Sequence, residues 1–172
     1  MASTFTLIQA QTLSSNAASL DFTLIPQTYT DLVLYASSRN ITNQEQWLSI
    51  GFNNVTTNYS NLLMWNDAGT LSGAAPSNQP PLALALTDLN SASNTWSNNQ
   101  LYIFNYASSV GKSYTGWGAQ ASNGSANSYW GFSGNKWANT AAITTLNITT
   151  RVAPSVGISS GSTFYLYGIK NT

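Results

Sequence analysis

Few side chains in this sequence are able to do covalent or acid–base work. The 172 residues include no Cys and no His, which removes thiol nucleophiles, imidazole bases, Ser-His-Asp triads and zinc sites of the Cys/His kind. What remains is five acids, Asp21, Asp31, Glu45, Asp67 and Asp88, and five bases, Arg39, Lys112, Lys136, Arg151 and Lys170. Two carboxylates roughly 5–10 Å apart are the minimum for glycoside hydrolysis. The sequence gives these acids a different role. Asp31 follows Tyr29-Thr30, and Asp67 and Asp88 stand beside Gly69 and Asn90, where short acids bond to their own backbone in turns. No catalytic residues are expected, and the chain reads as not an enzyme. No cofactor and no metal are expected either, since no Asp-x-Asp-x-Asp-Gly spacing offers calcium its oxygens.

The remaining chemistry is recognition. Six Trp and nine Tyr offer flat rings, and Trp117, Tyr129, Trp130 and Trp137 lie close to Asn123, Asn127 and Asn135, a mixture suited to stacking and hydrogen-bonding sugars. The competing reading is cross-strand aromatic packing in a hairpin over Ser113–Lys136, with its turn at Ser122-Asn123-Gly124-Ser125. Gly116, Gly118, Gly131 and Gly134 flank these rings and mark bulges or close backbone approach; no helix follows to make a phosphate cradle. Arg39 is either a contact to a neighbouring subunit or a strand-end guanidinium held by Asp31, Asp21 or Glu45. The candidate partner contacts are Arg39, Trp96, Trp117, Trp130 and Trp137.

Charged residues make up 6% of the chain, against about 25% in ordinary soluble domains. The five cations are scattered singly, so a nucleic-acid partner is not expected. No segment has the roughly 20 apolar residues of a membrane span, and Met1–Leu20 lacks the basic start and apolar run of a signal peptide; a soluble chain made in the cytosol is the expectation. With 42% hydrophobic and 12% aromatic residues the chain has material for a packed core under an Asn/Ser/Thr exterior.

The elements that must position these residues are strands. Apolar residues alternate or form short runs between Gly, Asn, Ser and Pro clusters, with no sustained helical period. Strands are predicted over Thr4–Thr12, Ser19–Leu24, Asp31–Ser38, Trp47–Phe52, Asn61–Trp65, Leu82–Leu86, Gln100–Tyr106, Ser113–Gln120, Ser128–Phe132, Ile143–Thr149 and Thr163–Ile169. The last is read as buried on both faces and central. Gly69–Pro81 and Ser91–Asn99 are predicted loops and, with Ala2–Phe5, candidate contact surfaces. About ten strands without helix predict an all-β fold: a single domain over 1–172, a two-sheet antiparallel sandwich, jelly-roll-like.

Two blocks carry a family resemblance: Leu20-Asp21-Phe22-Thr23-Leu24-Ile25-Pro26-Gln27-Thr28-Tyr29-Thr30-Asp31-Leu32-Val33-Leu34, ending at Arg39, and Gly161-Ser162-Thr163-Phe164-Tyr165-Leu166-Tyr167-Gly168-Ile169-Lys170. Phe52-Asn53-Asn54 with Asn58-Tyr59-Ser60, and Trp137 with Thr140–Leu146, are similar to the same group. The chain resembles small β-sandwich virion structural proteins of tailed phages, especially those of cyanobacteria. The resemblance implies a β-sandwich attached to the particle exterior, as a decoration (cement) protein, a head appendage or a tail-tip component; the leading expectation is a homotrimer, made in the host bacterial cytoplasm, that binds the major capsid protein on the outer surface of the virion. The alternative it leaves open is a tail-tip or head-fibre module gripping bacterial surface glycan.

Overall fold

The computed structural model describes residues 4–42, 46–67, 69–77, 82–86, 93–120, 129–151 and 157–170. Twelve strands are described: β1 (Phe5–Thr12), β2 (Ser19–Phe22), β3 (Asp31–Ser37), β4 (Gln46–Phe52), β5 (Tyr59–Asp67), β6 (Thr70–Ala74), β7 (Leu82–Leu86), β8 (Asn98–Ile103), β9 (Lys112–Gln120), β10 (Tyr129–Trp137), β11 (Leu146–Thr150) and β12 (Thr163–Ile169). They form two antiparallel sheets, an eight-stranded one in the order β1-β12-β3-β8-β9-β10-β5-β6 and a four-stranded one in the order β2-β11-β4-β7. The all-β, two-sheet sandwich is as the composition and periodicity predict.

Alternation of side chains along each strand builds the layer between the sheets. From the small sheet come Leu20 and Phe22, Leu48, Ile50 and Phe52, and Leu146 and Ile148; from the large one Leu32, Leu34 and Ala36, Leu101 and Ile103, and Phe164 and Leu166, all buried. At one end the core is aromatic. The Phe52 ring meets Tyr114 and Trp137 edge-on at centroid distances of 5.0 and 5.4 Å, and Tyr59 stacks on Trp137 at 6.1 Å. The Tyr59 hydroxyl accepts from the Phe52 amide at 2.9 Å and donates to the Val55 carbonyl at 3.0 Å. Its burial pushes its pKa up to about 12.

Lys112, at the start of β9, is the largest cationic side chain taken wholly inside. Its ammonium donates to the carbonyls of Ser108 and Val110, closing the loop after β8, and desolvation lowers its pKa.

Three details depart from the sequence reading. Thr70–Ala74, inside a predicted loop, is an edge strand paired with β5 from Asp67↔Thr70 to Leu63↔Ala74; its Gly and Ser read as turn chemistry, but an edge strand needs only one set of backbone bonds. Asn98 and Asn99, assigned to the second loop, begin β8. The last strand is not buried on both faces. Phe164, Leu166 and Gly168 face the core, Tyr165 is exposed, and β1 flanks β12 on the outside, placing it second from the edge.

Candidate functional site

The large sheet has an outer face whose side chains contradict its interior. Midway along β9 and β10 the inward positions are Gly116, Gly118, Gly131 and Ser133, all buried, whereas Trp117, Trp130 and Phe132 point outward at 41%, 48% and 47% exposure; only towards the other end of the hairpin do large rings, Tyr114 and Trp137, point inward. A soluble two-layer sandwich ordinarily has the opposite pattern, with large apolar groups in and small polar ones out. Gly131 explains the local geometry: a Cβ there would lie 2.5 Å from the Trp47 ring of the small sheet. The layer beneath is filled from the other side, and Trp117, Trp130 and Phe132 stand on the surface.

These rings belong to a row that runs across six strands. Register places Tyr165 beside Tyr35, Tyr35 beside Gln100, Gln100 beside Trp117, Trp117 beside Phe132 and Phe132 beside Met64. Leu62 and Leu71, from β5 and β6, are exposed beside it, as are Phe5 and Leu7 at the far edge. With about 200 Å² per ring, half in water, the three rings of β9 and β10 leave roughly 270 Å² of aromatic surface exposed. Leu62, Met64 and Leu71 extend this to roughly 500 Å², the upper end of what monomeric proteins display.

Charge is almost missing from this face. Among the described residues it carries Lys136, at the end of β10, and Asp31, which is buried. The Asp31 carboxylate accepts from the Tyr102 hydroxyl at 2.8 Å and from the Asn105 amide at 2.7 Å. Burial, and then the neighbouring Asp31 carboxylate, push the Tyr102 pKa up to about 12.

No protein-family model, curated protein or solved structure matches the chain.

Of the candidate contacts named from sequence, Trp117 and Trp130 lie on the outer face, within one hairpin. The turn predicted at 122–125 is outside the described residues; the pairing is seen directly, from Tyr129↔Gln120 to Trp137↔Lys112. Trp137 does not join them. It points inward into the aromatic core and is wholly buried, so it is corrected to a packing residue. Arg39 is also corrected: it is buried, its guanidinium donates to the Thr95 carbonyl at 3.3 Å, and its amide donates to the Ser162 hydroxyl at 3.2 Å. Trp96 is half-buried over Gly161, where a Cβ would fall 2.8 Å from its ring. Sequence reasoning missed Tyr35, Tyr165, Met64 and Leu62, because alternation alone does not say which face of a strand meets water. The signal was present in β9 and β10, where glycines alternate with the large rings.

On the opposite surface of the sandwich, outside the small sheet, β2, β4 and β11 present small polar side chains, among them Ser19, Asp21, Ser49, Asn147 and Thr149. A groove of about 340 Å³ runs there between Ser19, Asp21, Ser49, Gly51, Asn54, Val55, Thr56, Asn147 and Thr149. Its rim is a tight turn in which Asn53 and Asn54 both take positive φ, 52° and 58°, and the Val55 amide donates to the Phe52 carbonyl at 2.9 Å; Asn tolerates that conformation better than other side-chain-bearing residues.

Proposed function

We propose that the chain is a non-catalytic adhesive module: a virion decoration protein that docks the outer face of its large sheet on the major capsid protein shell, as a homotrimer, and stabilises the head. The observation that carries this reading is the inverted pattern midway along β9 and β10, with Gly116, Gly118 and Gly131 inside and Trp117, Trp130 and Phe132 outside. Rings held on a sheet face with almost no charge gain free energy only when something covers them, about 25 cal/mol per Å² removed from water. A neutral exterior also removes the long-range repulsion that opposes dense packing of many copies. Repetition at every equivalent site would multiply a modest contact into a large effect on shell opening.

A jelly-roll winding belongs to the same proposal, and strand order supports it. Without the β5–β6 and β9–β10 hairpins, the remaining strands form sheets β1-β12-β3-β8 and β2-β11-β4-β7. Successive strands then change sheet at every step except β4 to β7, as in two interleaved Greek keys. Both hairpins extend the large sheet beyond β8, and they supply Trp117, Trp130 and Phe132 with Leu62, Met64 and Leu71 on its outer face.

The second reading is the glycan-gripping tail or fibre module, favoured by the exposure of Trp117 and Trp130, whose rings can stack on sugars. Copy number per particle separates the two. Copies on the order of hundreds are expected for a shell-covering protein of icosahedral symmetry, and a few to some tens for an appendage. Virions lacking the protein are expected to assemble yet release DNA at lower temperature than complete ones; equal heat resistance of both would refute cementing.

A further inference from the structure

We infer that the polar groove on the outside of the small sheet is a binding site for one unit of an uncharged saccharide, with the Asp21 carboxylate as its principal acceptor. This holds whatever covers the aromatic face, because the groove lies on the other side of the sandwich.

The groove is built and held open. Two register rows cross it, Asp21↔Asn147↔Gly51 and Ser19↔Thr149↔Ser49, so their side chains share one outward face. Gly51 forms the floor. A Cβ there would meet Asn147 at an ordinary 3.7 Å, so the backbone does not require glycine, and a larger residue would fit the strand while filling the groove.

Asn147 fixes both walls. Its amide nitrogen donates to Asp21 Oδ1 at 2.8 Å, and its amide oxygen accepts from the Asn54 backbone at 2.9 Å. The turn behind Asn54 is anchored in turn by Asn53, whose side chain donates to the Ala142 carbonyl at 2.8 Å and accepts from the Thr144 and Thr145 amides at 2.8 and 3.1 Å. The carboxylate is thus held in one orientation before any ligand arrives, which lowers the ordering cost of binding.

What the groove leaves unspent defines its ligand. Asp21 Oδ2 has no hydrogen-bond partner among the described residues, and neither do the hydroxyls of Ser19, Ser49, Thr56 and Thr149. One fixed acceptor ringed by hydroxyls that both donate and accept matches the hydroxyls of a sugar, which do the same. A calcium ion would want six to eight oxygens with more than one carboxylate among them. The volume fits the lower end of small-ligand sites, and Val55 supplies an apolar contact for a ring C–H face.

The test is a heteronuclear NMR titration of the full chain with the methyl glycosides of glucose, galactose, mannose and N-acetylglucosamine, with calcium chloride alone as a separate arm. At least one glycoside is expected to shift the amides of Asp21, Gly51, Asn54 and Asn147 saturably. Asp21→Ala is expected to weaken that binding at least tenfold, a change of about 1.4 kcal/mol. Gly51→Val is expected to abolish it while keeping Asp21 and the melting temperature. Saturable shifts with calcium alone at these amides, shifts confined to Trp117 and Trp130, no saturable shift with any glycoside, or undiminished binding by a folded Gly51→Val variant would each overturn the assignment.

Discussion

Replacing Phe132 with glutamate puts a charge in the middle of the aromatic row and tests what that row is for. About half of the ring is exposed, so a covering partner would remove about 90 Å² from water, worth about 2 kcal/mol or a roughly 30-fold change in affinity. The glutamate adds the cost of burying an unpaired carboxylate in an apolar contact, several kcal/mol more. Docking should then fall by at least about a thousandfold. Folding should survive. The half of the ring already packed is worth about 2 kcal/mol and its cross-strand pairing with Trp117 up to about 1, against the roughly 5–15 kcal/mol that a domain of this size typically has. The assay is co-sedimentation of purified protein with particles lacking it, read beside a thermal melt. A Phe132→Glu variant that melts as a folded protein and still saturates the particles at the wild-type concentration would refute the reasoning.

Other outcomes follow from the core and its buried ionisable groups. Trp137→Ala should destabilise the fold by about 3–5 kcal/mol in denaturant titration, because it leaves a cavity beneath Phe52 and Tyr59; a loss below about 1 kcal/mol would contradict the aromatic core. Lys112, buried against two carbonyls, should be acylated last of the three lysines when amine modification is followed by mass spectrometry, well after the exposed Lys136 and Lys170. Tyr59 and Tyr102 have pKa values raised from 10 to about 12. Their neutral forms favour the folded state, so this contribution is full below pH 10 and is lost as pH rises from 10 to about 12. A phenolate absorbance titration should show these tyrosines ionising late, together with unfolding.

Much of the fold was legible because alternation is a local property. Within the predicted strand Trp47–Phe52, period-two spacing puts Leu48, Ile50 and Phe52 on one face, and all three are in the core. Strand order was not legible, since β1 pairs with β12 and β3 with both β12 and β8, contacts between residues far apart in sequence that periodicity cannot encode. Thr70–Ala74 escaped because its single large apolar residue, Leu71, points to solvent rather than to the core. The exposed aromatic face was half legible. Trp117 and Trp130 stood out as rings, but Trp137 in the same hairpin has the opposite parity and is buried, and only the register distinguishes them. The polar groove was not legible, because Asp21, Gly51 and Asn147 become neighbours only when β2, β11 and β4 pair.

The central claim is that the outer face of the large sheet is made to be covered. A density map of the virion, with this chain fitted, tests it most directly. The account predicts Trp117, Trp130 and Phe132 buried against the shell or a neighbouring copy, with the small sheet facing solvent. Finding the chain on the particle with those three rings in open water, or not finding it on the particle at all, would contradict it.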